Sequence, residues 1–77
     1  MARIALHLNS VRAVRRIRAG APRARVSSDF GLSAGSIERI ESSLRDIPDA
    51  VLAAIERVLD DKEKLRSLIS TLIRHND

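Results

Sequence analysis

The sequence predicts an all-α domain of four to five helices, preceded by a short stretch that alternates like a strand. Three observations lead there. Apolar residues recur three and four apart from Val11 almost to the C-terminus, which keeps them on one helix face. Pro22, Gly31 and Pro48 punctuate that periodicity at helix-sized intervals. Apolar residues make up 44% and charged residues 31%, a balance that folds around a core.

The 77 residues leave room for one domain, 1–77, with one modest core. Cysteine is absent, so disulfides, thiol chemistry and cysteine-zinc sites are excluded. No apolar run approaches membrane-spanning length and the N-terminus lacks a signal-peptide core, so a cytoplasmic protein is expected. Phe30 is the one aromatic residue, which argues against single-stranded nucleic acid and its stacking platforms. The charge is lopsided: residues 1–28 carry seven arginines and no acid, whereas residues 29–77 carry seven basic and ten acidic groups. A basic N-terminal part suits a polyanion. A solvated arginine face is the plainer account, but the cluster leads straight into the helix-turn-helix pattern of residues 22–43, which favours the polyanion.

In order along the chain, Ile4, Leu6 and Leu8 alternate with Arg3, Ala5, His7 and Asn9, a period of two that suits a strand. Ile4, Leu8 and Val11 also fit one helix face, so residues 3–9 remain strand or helix. A lone strand needs a partner, and the same strand of a second copy would serve, making 1–10 a candidate dimerisation segment. Asn9 or Ser10 is expected to cap a first helix, Val11–Ala19, with Val14 and Ile17 inward and Arg12, Arg15 and Arg18 outward.

Residues 22–43 carry the densest signal. Pro22 suits a first helical turn, and Val26 and Phe30, four apart, share a face. Gly31 can take the positive φ that ends the helix. Ser33 is a fit N-cap for the next, its hydroxyl placed to accept the N–H of Ser36. Ile37, Ile40 and Leu44 follow as the inner stripe. Ser27 is small where the helices cross, and Leu32 folds back inward. Helix, glycine turn, helix is the pattern whose second helix enters a DNA major groove.

GLSAGSIERIES, Gly31 to Ser42, resembles the turn and recognition helix of the Cro and repressor proteins of lambda-like phages, the XRE family. RRIRAG, Arg15 to Gly20, resembles the end of that family's first helix. The likeness covers about Val11 to Leu59. It implies a lambda-repressor-like helix-turn-helix domain and a phage or mobile-element regulator. Such a regulator is repressor-like, associated with the nucleoid, and binds a near-palindromic double-stranded operator as a homodimer. Base contacts would come from Ala34, Gly35, Ser36, Glu38 and Arg39. The places of the family's leading base readers, Ala34 and Gly35, are bare here, so readout falls to Ser36, Glu38 and Arg39. Arg23 would meet the DNA backbone, with Arg12, Arg15, Arg18, Arg25, Arg45, Ser33 and Ser42 as further phosphate candidates. The family also implies an ion pair between Arg16 and Glu41. It commonly has glycine where Ser43 stands, so the second helix of the motif is expected to run longer or end differently.

Residues 43–48 read as a loop. Pro48 and Asp49 start a fourth helix with Val51, Leu52, Ile55, Val58 and Leu59 on one side. Asp60, with Glu63 three residues on, suggests a capping box for a fifth, amphipathic helix at 61–75. Its apolar positions are Leu65, Leu68, Ile69, Leu72 and Ile73. The family's core is largely complete by Leu59, so this helix either caps its own bundle or meets a second copy. The expected dimer interface combines it with Ile4, Leu6 and Leu8.

His7 and His75 stand at opposite ends with no ligand cluster, no serine sits in a nucleophile elbow, and GLSAG lacks the Lys-Ser/Thr of a phosphate loop. No enzyme, metal, cofactor or small-molecule ligand is expected. Two functions remain: a dimeric DNA-binding regulator, or a small interaction module, antitoxin-like or an adaptor, binding through its C-terminal helix. A ribbon-helix-helix protein also begins with a strand like RIALHLNS, but residues 10–33 are too many for its single first helix.

Overall fold

The computed structural model describes residues 6–75 and forms four helices there: α1 Leu8–Arg18, α2 Arg23–Phe30, α3 Ala34–Leu44 and α4 Asp49–His75. No strand occurs among the described residues. Ile4 lies outside them. Leu6 precedes α1 in no regular element, and Leu8 is helical, which removes it from the expected strand. The helical spacing wins because it aligns Leu8 and Val11 with buried Val14. The expected cap moves too: α1 begins before Asn9 and Ser10, at His7, whose side chain accepts no capping bond.

Helix α1 is the central element, packed against all three others. Its Val11 and Val14 join Leu44 of α3 and Leu52 of α4, with Ile40, Ile47, Ile55 and Leu59 around them. Its opposite edge, through Ala13, packs on Val26 of α2 and Ile37 of α3, flanked by Ile17, Phe30 and Leu32. Leu52, Val11 and Val26 are the largest fully buried side chains. Each contributes about 1.5–3 kcal/mol by leaving water.

Two glycines set the corners. Gly20 (φ 104) ends α1, with Ala21 N–H donating to Arg16 carbonyl and Gly20 N–H to Ile17 carbonyl, both at 3.0 Å. Gly31 (φ 63) ends α2 in the same way: Leu32 N–H meets Ser27 carbonyl at 3.0 Å and Gly31 N–H meets Ser28 carbonyl at 3.4 Å. Both are Schellman closures, which need a left-handed residue just past the helix. The Ser27 hydroxyl donates to the Leu32 carbonyl, fastening the turn from the inside.

The third corner has no glycine. Helix α3 runs through Ser43 to Leu44, and its terminal carbonyls meet the Arg18 guanidinium instead. Arg18 donates to the Leu44 carbonyl at 2.8 Å, to the Ile47 carbonyl at 2.7 Å and to the Asp49 carboxylate at 2.7 Å. A cation there complements the negative end of the helix dipole.

The fourth and fifth helices expected from the sequence are one helix, the 27-residue α4. Asp60 is not a cap. Its carboxylate accepts from Arg12 at 3.2 Å and pairs with Lys64 at 3.1 Å, one turn on. No glycine or proline falls between Asp49 and His75, so nothing interrupts the backbone ladder. Val51 and Val58, expected inward, are 46% and 66% exposed. Beyond Asp60 every described residue of α4 is exposed. None of the helices is long and apolar enough to cross a membrane.

Candidate nucleic-acid interface

The first turns of α3 carry an exposed polar face. Ser33 is extended (φ −72, ψ 160) and its hydroxyl accepts the Ser36 N–H at 3.1 Å, as the sequence expects of an N-cap. The Ser33 hydroxyl also donates to the Ser36 hydroxyl at 3.0 Å, which fixes both side chains at the helix start. Behind them Ile37 is buried and Ile40 half-buried, which anchors α3 to α1 and α2. Ala34, Gly35, Glu38 and Arg39 are exposed and Ser36 is half-buried, so the five base-contact candidates share one end of α3. Arg39 has no ion-pair partner among the described residues. Gly35 has an ordinary helical backbone, and a Cβ there would meet nothing within 4 Å. The fold itself therefore has no use for glycine at this place.

The phosphate candidates divide into two groups. Ser33 caps α3, Ser42 lies on it, Arg45 follows it and Arg23 reaches Glu41 on it; these, and Arg25 on α2, are exposed. Arg18, Arg23 and Arg45, with Glu38 and Glu41, line a shallow cleft of about 320 Å³ beside it. Arg12 and Arg15 instead turn to α4. The Arg15 guanidinium meets Glu56 at 2.9 Å, and Arg12 lies 3.7 Å from Glu56 and 3.2 Å from Asp60. Arg18 holds the end of α3, as above. Sequence reasoning missed this clamping role, because it depends on which carbonyls the fold brings to α1.

The Arg16–Glu41 pair implied by the family does not form. Arg16 meets Asp29 at 2.8 Å and its guanidinium lies over the Phe30 ring, 5.6 Å from the centroid. Both partners belong to the last turn of α2. Glu41 is taken by Arg23 through two parallel hydrogen bonds of 2.7 and 2.9 Å, the fork geometry that favours arginine. That hydrogen bonding holds the Glu41 carboxyl below its usual range. Arg25 approaches Asp29 at 3.8 Å. So the guanidinium of Arg23, expected to meet a phosphate, is engaged by a carboxylate of the fold.

Among the described residues no three His, Asp or Glu side chains converge as metal ligands would. No family model matches the chain, and no match was found among curated proteins or solved structures.

Proposed function

We propose that this protein is a sequence-specific double-stranded DNA-binding regulator of the lambda-repressor-like type, acting as a homodimer on a near-palindromic site. The observation that carries the reading is the α2–turn–α3 unit. Two helices are joined through a left-handed Gly31, and the second is capped by Ser33 and presents a bare, uncovered first turn. A helix held by its apolar face and open at its N-terminal turns is what major-groove insertion needs. Ala34 and Gly35 allow close backbone approach, and Ser36, Glu38 and Arg39 supply groups that read base edges. Arg45 follows the far end of α3 and has no carboxylate partner among the described residues, so its charge suits a phosphate.

The test is selection of bound sites from a random DNA pool, followed by affinity measured against salt. Enrichment of a two-fold-related motif, with affinity falling steeply as salt rises, is the expected result. Binding equally weak on every duplex would end the proposal. A second reading, an interaction module, draws on the exposed apolar residues of distal α4, such as Leu65 (57% exposed) and Ile73 (64%). On that reading the chain has no salt-dependent DNA affinity and α4 alone sets the partner.

A further inference from the structure

The fork between Arg23 and Glu41 leaves half of the guanidinium unused. Arg23 opens α2, and Glu41 lies about two turns along α3. Glu41 is the inner partner, with 24% of its side chain exposed against 69% for Arg23. A guanidinium carries five N–H donors in one plane. The fork takes one at Nε and one at Nη2, at 2.7 and 2.9 Å. The remaining donors, two on Nη1 and one on Nη2, meet no acceptor among the described residues. One from each of those nitrogens points the same way, off the end of the group and away from Glu41. That end is a second pair of parallel donors, the shape that fits two oxygens of a phosphate. The cleft beside α3 is lined by Arg23 together with Glu38, Glu41, Ser42 and Arg45. On α3 these stand three or four apart and continue the stripe that begins at Ala34, so Arg23 lies along the helix face that starts with the base-contact candidates.

We infer that Glu41 is a positioning residue for the DNA backbone: it holds Arg23 by one edge and so aims the free end at a phosphate alongside α3. The inference rests on the DNA reading proposed above. An arginine that nothing holds samples many rotamers and has to be ordered when it binds, whereas one held by a carboxylate is ordered beforehand. The carboxylate also cancels the positive charge at a distance, so the pair adds little long-range attraction. What it offers is local and directed. The two effects of Glu41 therefore have opposite signs. Removing a carboxylate beside a polyanion tightens binding if charge alone counts, and removing the holder of Arg23 loosens it.

The deciding measurement is the affinity of the full chain for its selected site and for an unrelated duplex, each followed against salt. Glu41→Gln keeps the size of the side chain but has one acceptor and a donor group where the carboxylate has two acceptors, so the fork breaks. It is expected to weaken binding to both duplexes about threefold to tenfold, the usual cost of immobilising one long side chain. Arg23→Gln is expected to weaken both as well and to lower the salt slope by about one unit. In the Arg23→Gln background, Glu41→Gln should bring no further loss, because no arginine is left to position. Equal or tighter binding by the single Glu41→Gln variant would overturn the inference and leave the DNA reading standing. A loss confined to the selected site would overturn it too, since Glu41 would then orient α3 and not a phosphate donor. A wild-type chain with no affinity for any duplex ends the DNA reading and takes the inference with it.

Discussion

On α1, Arg12, Arg15, Arg16 and Arg18 each end on a carboxylate of another helix or its flanking turn. On the α3 side, Arg39 and Arg45 have no carboxylate partner among the described residues. Each of these arginines carries the same charge, but one set is taken up by the fold and the other is left open. Formal charge along a sequence counts both sets alike. The basic N-terminal part thus overstates what a polyanion would meet, because α1 presents its arginines to Glu56, Asp60, Asp29 and Asp49. Placement, not number, decides which cations are available.

The sharpest way to break this comparison is Arg18→Ala. It leaves the α3 terminal carbonyls without their donor and should lower stability by about 1.5–3 kcal/mol, the usual worth of hydrogen bonds to a charged group. Urea unfolding followed by circular dichroism would read it; an unchanged midpoint would return Arg18 to the free set. Arg39→Ala is the mirror experiment. Stability should stay within about 0.5 kcal/mol, while affinity for the selected site falls by about 1–3 kcal/mol and preference relaxes at one base position. Unchanged sequence preference would remove Arg39 from the interface. Gly35→Ala should raise stability by about 0.5–1 kcal/mol, since the fold gains helix propensity and nothing obstructs the methyl. DNA affinity should drop in the same variant; a rise in both would show that no ligand approaches there.

The smallest effect concerns Glu41. Its carboxyl is held low by Arg23, so the pair stabilises the fold above the unfolded value, about pH 4.3, and that contribution fades as pH falls through the lowered value. Arg23 is 69% exposed on its side chain, so the contribution is slight. Glu41→Gln should flatten the acid limb of the stability curve without altering it at neutral pH by much. A steeper acid limb in the variant would contradict the pairing.

Legibility in the sequence followed the range of the physics involved. The Gly31 turn and the Ser33 cap were readable because left-handed glycine and a hydroxyl cap act within a few residues. Val26 and Ile37 were readable from helical spacing. The Arg16 partner was not, since Asp29 and Glu41 are both within reach of the same motif and only the packing of α2 chooses between them. The Asp60–Glu63 signature misled for a different reason. Acids and lysines near a helix start look the same as one-turn ion pairs inside a helix that continues, and Asp60 makes the latter with Lys64. The end of α3 was legible only as an anomaly: serine stood at the expected glycine, and the donor that replaces a glycine cap comes from a residue 26 positions away.

The continuity of α4 has a consequence for how the chain behaves in solution. A fifteen-residue helix on its own is marginal in water, because starting the first turn is costly while adding turns to an existing one is nearly free. The segment beyond Asp60 never has to start, since the packed turns around Leu52 and Ile55 nucleate it. Its amides should exchange with solvent in a gradient, slowest near Leu52 and fastest towards His75, like a zipper fastened at one end.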